Sequence, residues 1–253
     1  MFEGALRIAR EEYPDLDLAL YRARVEEFAE RARARVAAKG RRAVVQLNEC
    51  FFGDLGFRGN SDDYYDPRNS YLNDVIDRRI GIPITLSTVY CEVARRIGVP
   101  AYGVGFPGHY LVKCLVPGSE VIVDCYGARV LSRDDCQTLL DSMQPEPMTL
   151  SDEMLAIASP RDTLSRMLNN LRRIHSSKKD FARALRWVEL DLEFNPDAPH
   201  LFRERGMLYV QTEQFGKAVA DLERYASLVP DAPDLPQLRE QLQLIRKLLS
   251  HLN

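Results

Sequence analysis

Apolar residues recur at steps of three and four over residues 16–38, at Leu18, Tyr21, Val25, Phe28, Ala32 and Val36, with Arg, Glu and Ala filling most other positions. That period puts the apolar side chains on one face and predicts an amphipathic helix, with Gly40 as its stop. A second helix is predicted over 44–55. It leads into GFRGNSDDYYDPRNS, where Gly, Asn, Asp and Pro cluster among tyrosines and predict a long irregular loop. Long ordered loops often carry function. From Asn73 the pattern is helical again, breaks at Gly81-Ile82-Pro83, and resumes through Thr85, Leu86, Val89, Val93 and Ile97 to a stop at Gly98-Val99-Pro100. Pro83 suits the first turn of that helix, where its missing N–H breaks no helical bond. Three strands are predicted near 102–105, 109–116 and 120–124, the last two joined by the tight turn Pro117-Gly118. Ser132 with Asp135 three residues on predicts a capping box opening a helix.

After Gln144-Pro145-Glu146-Pro147 the composition turns to helix formers, which predicts a domain of residues 1–150 and an all-α unit of 160–253. The second unit repeats itself. Phe181 recurs as Phe215, Ala184 as Ala218, and Pro196-Asp197-Ala198-Pro199 as Pro230-Asp231-Ala232-Pro233, each pair 34 residues apart. That is the tetratricopeptide period, with His175 where the second copy has Tyr209, and with Leu238 to Leu252 as a capping helix.

Composition narrows the function classes. The 253 residues carry 34 Lys and Arg against 37 Asp and Glu, a formal charge of −3, so no overall positive field exists to hold nucleic acid. The basic run Arg31, Arg33, Arg35, Lys39, Arg41, Arg42 reads as a solvated helix end, its cations near the negative end of the dipole. No apolar stretch approaches the roughly 20 residues of a membrane helix, and the acids of MFEGALRIAREEYP do not suit a signal peptide. A cytoplasmic protein is expected, with no membrane or nucleic-acid partner. Cys50, Cys91, Cys114, Cys125 and Cys136 form no CxxC pair, so reduced thiols are expected and no metal or cofactor site. The spacing of Asp62, Asp63 and Asp66 lacks the pattern of a calcium loop, which leaves turn formation and capping as their role.

The chemistry concentrates in the predicted hairpin. A two-residue loop at Pro117-Gly118 sets Val116 opposite Ser119 and makes Asp124 a diagonal neighbour of His109, about 7 Å away between Cα atoms on one face. A carboxylate that orients an imidazole is half of a nucleophilic triad; the same pair also serves simply as a satisfied polar bolt in a core. The missing half is a thiol at a helix start. The run GIPITLSTVYCEVARRIGVPAYGVGFPGHYLVKCLVPGSEVIVDCYG, residues 81–127, resembles the core of the transglutaminase-like superfamily. The resemblance implies a papain-like core in which Arg95, Gly98, Pro100, His109 and Asp124 take family positions. It puts the nucleophile's place on Pro83, or on Ile84 if the register slips by one, and neither side chain attacks a carbonyl.

Together with LNECFFGDLGFRGNSDDYYDPRNSYLN and the repeat pair, residues from about 1 to 250 resemble the bacterial Sir-B type family of transglutaminase-like/TPR proteins, which shares the missing cysteine. The expected fold is therefore α+β: a papain/transglutaminase-like N-terminal domain with a small antiparallel sheet, followed by the repeat unit. Thr85, near the helix start, is the candidate substitute nucleophile. Cys91 lies about 10 Å too deep along the helix, Cys114 and Cys125 have the strand parity of the opposite face, and Cys50 reads as a buried helix thiol. Two functions stay open beside a third, a scaffold whose working surface is the repeat unit with the first domain supporting it. One is a non-catalytic module that holds a protein or peptide in a cleft edged by Asp66, Arg68, Asn69 and Gly108. The other is a hydrolase or acyl-transferase with His109 as base, Asp124 as orienter and Thr85, a distant Cys50 or an activated water as the unconventional nucleophile.

Overall fold

A computed structural model describes the fold of residues 1–252 and the side chains of residues 1–249. Two compact units divide the chain, Met1–Met167 and Leu168–Asn253.

The first unit opens with α1 (Phe2–Glu12) and α2 (Leu18–Arg35). Asp17 caps α2 by accepting from the N–H groups of Ala19 and Leu20, and the apolar period buries Tyr21, Val25, Phe28 and Ala32. α1, which is not among the predicted helices, also places apolar residues at steps of three and four, at Phe2, Leu6 and Ala9. It buries Phe2, Ala5, Leu6, Ile8 and Ala9 within eleven residues. Gly40 does not end α2, which stops at Arg35; with φ 65° it stands before α3 (Arg41–Asn48) as its N-terminal cap. The expected helix over 44–55 is split: α3 runs straight into a π-helical turn, Glu49–Asp54, in which Phe51 stacks on Phe57 at 4.3 Å between ring centres. The loop that follows contains β1 (Arg58–Gly59), paired in parallel with β2 (Ile80–Gly81), and a 3₁₀ turn, Pro67–Asn69, before α4 (Leu72–Arg78).

α5 (Pro83–Arg96) is buried along nearly its whole length, from Pro83 to Ala94, and Pro83 occupies its first turn. On one side of it lies an antiparallel sheet, β3 (Ala101–Val104), β4 (Leu111–Val116), β5 (Ser119–Asp124) and β6 (Arg129–Leu131), in that spatial order. Val116 opposes Ser119, the register set by the Pro117-Gly118 loop. The sheet thus has four strands where three were expected. β6 is too short to show alternation in the sequence, and the strand expected to start at His109 starts at Leu111. Gly108 takes φ 71° and turns the chain there, with the His109 N–H closing back on the Phe106 carbonyl. One sheet face packs Leu111, Ile122 and Leu131 with Cys136, Leu139 and Leu140 of α6 (Arg133–Met143). Ser132 and Asp135 form the expected capping box of α6. The outer edge of β3 is closed by the chain itself: Val104 bridges Ile157, and Ala158 donates to the Gly103 carbonyl.

α7 (Pro160–Ser177) contains the division between units. In the second unit α8 (Phe181–Phe194), α9 (Pro199–Gln211), α10 (Phe215–Leu228) and α11 (Leu235–Leu252) follow in turn. The repeated Ala184 and Ala218 are fully buried, and Leu238, Leu242 and Ile245 of α11 pack with Leu222 and Tyr225 of α10. Arg172 is sealed in this unit against Asp191, at 2.6 Å, with Glu204 beside it.

Candidate functional site

The turn made by Gly108 and the end of β5 bring His109 and Asp124 together. His109 Nε2 lies 2.9 Å from Asp124 Oδ1, and both residues are buried, at 6% and 3% exposure. The same Oδ1 accepts the backbone N–H groups of Tyr126 and Gly127, each at 3.0 Å. Arg129 reaches Oδ2 from β6 at 3.5 Å. Burial alone would raise the Asp124 carboxyl. The hydrogen bond and charge of His109 and the two backbone donors outweigh it and hold the carboxyl below its ordinary value. With Nε2 turned to the carboxylate, Nδ1 is the ring nitrogen left for proton transfer. The edge of the ring meets Tyr126 at 6.2 Å between centres, and Tyr126 in turn donates its hydroxyl to the Asn60 carbonyl.

Among the described residues the His109 ring has no hydrogen bond besides that to Asp124. Pro83 and Ile84 occupy the helix start, as the resemblance implies, and both are buried. Thr85 is fully buried and its hydroxyl is already engaged: it donates to the Asn69 carbonyl at 2.7 Å and accepts from the Ile82 N–H at 3.2 Å. That bond ties α5 to the loop, so Thr85 works as a joint. All five thiols are buried. Desolvation pushes Cys91 and Cys125 well up, Cys114 to about 12, and Cys50 and Cys136 upward, so none is a ready thiolate at neutral pH. Cys91, Cys114 and Cys125 lie in the buried core near Tyr90, whose hydroxyl donates to Asn48 Oδ1 at 2.7 Å.

The loop residues divide by role. Asp66 is buried, caps the 3₁₀ turn through the Arg68 N–H, and grips the Arg68 guanidinium through both oxygens. Asn69 is fully buried and binds the Asp63 and Tyr64 carbonyls and the Asn60 amide. Arg68 itself faces outward, its side chain 59% exposed, on a loop that also exposes Tyr65. Arg95, another of the family positions, is exposed and pairs with the buried Glu92 of α5. Among the described residues no three His, Cys, Asp or Glu side chains converge as metal ligands, and no helix is long and apolar enough to cross a membrane.

The hairpin register that sets Val116 opposite Ser119 also sets His109 opposite Tyr126, and the two rings meet. One residue at the site escapes sequence reasoning. Arg166, on α7, donates to the His109 carbonyl at 2.6 Å and to the Phe106 carbonyl at 3.0 Å. Nothing in the spacing of 57 positions announces that contact.

Residues 19–169 match the family model described as the transglutaminase-like superfamily, and residues 171–243 match a tetratricopeptide repeat. A UPF0162 protein of Xylella fastidiosa is 38% identical over 249 residues, which span 96% of this chain and 88% of that protein. A UPF0162 protein of Vibrio cholerae is 26% identical across 97% of this chain and 92% of its own length, and the UPF0162 protein YchA of Escherichia coli is 26% identical across 80% and 76%. The chain belongs to the transglutaminase-like superfamily, as a relative of the bacterial UPF0162 proteins with a tetratricopeptide repeat after its core.

Proposed function

We propose that this is a cytoplasmic, non-catalytic protein- or peptide-binding module, built on a transglutaminase-like cleft that has lost its nucleophile. The observation that carries the reading is the isolation of His109: among the described residues its ring is hydrogen-bonded to Asp124 alone, while every thiol is buried and the Thr85 hydroxyl is committed to Asn69. A base and its orienter without an attacking atom do not turn over an acyl group. Recognition needs neither. The loop supplies Arg68 and Tyr65, residue types that dominate binding energy at interfaces, on a backbone fixed by Asp66 and Asn69. Gly108 would border the same cleft beside His109. The tetratricopeptide unit would add protein-binding surface. The narrower placement in the Sir-B type group rests on the run from Gly56 to His109.

The rival reading is a hydrolase or acyl-transferase in which His109 and Asp124 activate a water. The intact pair favours it. Affinity capture with the wild type and His109→Ala, read by mass spectrometry, separates the two. The binding reading expects the same partners in both samples, chemically unchanged. A partner recovered cleaved or acyl-modified with the wild type and intact with His109→Ala would overturn it, as would the absence of any retained partner.

A further inference from the structure

The two edges of the four-stranded sheet are treated differently. On β3 the chain seals its own edge with Ile157 and Ala158. On β6, among the described residues, no backbone hydrogen bond arrives from any element but β5. An unsealed strand edge presents N–H and C=O groups that only another extended backbone matches in register.

Beside that edge lies an open groove of about 530 Å³, within the size range of ligand pockets. Arg129 and Val130 of β6 form one wall, and Asn48 at the end of α3 faces them together with Phe52 and Gly53 of the π-helical turn. The π-helical turn is an irregularity of a kind often found at functional sites. Ala128, which delivers the chain into β6, sits at φ 52°, a left-handed conformation uncommon for a residue with a side chain. The charges on the opposite wall are already matched, because Arg35 lies between Glu49 and Asp54 at 3.7 and 3.6 Å. Arg129 is different. Its side chain is half exposed, and its one carboxylate contact among the described residues, at 3.5 Å, is to Asp124, whose other oxygen already takes three donors.

We propose that this groove binds an extended segment of a partner protein, which adds to β6 as a fifth strand, lays apolar side chains over Val130 and Phe52 and sets a carboxylate against Arg129. The site is separate from the His109 cleft, and neither reading depends on the other. Because Arg129 touches Asp124, occupancy is felt at the end of β5.

The probe is acetyl-Thr-Val-Glu-Val-Thr-amide titrated into the full-length ¹⁵N-labelled chain. Two controls accompany it, one N-methylated on the central residues and one with Lys for Glu. The expected result is a shift of the amide resonances of residues 128–131 and 48–54, lost with the N-methylated peptide and weakened up to about fivefold with the Lys peptide. Arg129→Gln should bind the Glu and Lys peptides equally, with resonances far from the groove unchanged. The proposal is overturned if no groove resonance moves, if the N-methylated peptide acts as well as the parent, or if the groove resonances shift with protein concentration alone, which would assign the edge to a second copy of the chain.

Discussion

Arg166 holds the carbonyl of His109 at 2.6 Å from a helix that starts 51 residues further along the chain. Its guanidinium also takes the Phe106 carbonyl and lies 5.6 Å from the centre of the Tyr110 ring. Desolvation lowers its pKa, a measure of how far it is drawn out of water. The turn that aims the imidazole at Asp124 is therefore clamped from outside the sheet. Replacing Arg166 with Met should cost about 2 kcal/mol, the scale of hydrogen bonds to a charged group. Amide exchange at residues 106–110 should accelerate more than elsewhere, with Lys restoring the charge and only part of the protection. Unchanged exchange in that turn would refute the clamp.

Asp124 gives the fold an acid-sensitive element. Its carboxyl titrates below the ordinary 3.8 in the folded chain. The stability it contributes is therefore fully present above that value and is lost as the pH falls through the lower folded value. Asp124→Asn should be less stable at neutral pH by about 1–3 kcal/mol, and its urea midpoint should fall less than the wild type's between pH 5 and the acid limit. Parallel curves for the two proteins would show that Asp124 contributes nothing to the acid transition.

Thiol chemistry should report the same burial. Iodoacetamide at neutral pH is expected to leave all five cysteines of the folded chain largely unmodified, and to alkylate all five after unfolding in urea. One thiol reacting rapidly in the folded chain, and more slowly in His109→Ala, would restore the case for a cysteine nucleophile.

Gly127 packs against the acid it helps to bind. A Cβ there would stand 2.6 Å from Asp124 Oδ2. Gly127→Ala should therefore displace the carboxylate, at a cost of about 1–3 kcal/mol, and should also move the His109 ring resonances. Unshifted ring resonances would mean that the turn relaxes without disturbing the pair.

In the second unit, Arg172 and Asp191 form an ion pair with side chains only 3% and 2% exposed. Removing Arg172 alone should cost about 3–5 kcal/mol because the buried Asp191 carboxylate loses its cationic partner. Pairing Arg172→Met with Asp191→Leu should recover most of that loss. A double variant as unstable as the single one would locate the cost in packing instead.

The parts legible in the sequence are those with a local rule behind them. The Pro117-Gly118 loop fixes a hairpin register, and the register puts Asp124 diagonally across from His109. The 34-residue recurrence reveals the repeats because each copy solves the same packing problem. Ser132 and Asp135 mark a helix start by mutual hydrogen bonding. Other features have no such rule. β6 is three residues long and held by its neighbour, and the π-helical turn differs from α-helix by one extra residue. The Thr85 hydroxyl illustrates the limit at the site itself. Its position near a helix start is visible in the sequence, whereas its commitment to Asn69 depends on a loop sixteen residues away.

The seal on β3 has a consequence for how the chain is made and cut. The strand cannot be covered until Ile157 and Ala158 have left the ribosome, after both turns of the hairpin and all of α6 are already synthesised. Until then a nascent or truncated polypeptide carries a sheet with two sticky borders, and a fragment engineered to stop short of Ala158 should precipitate where one ending a few residues later stays dispersed.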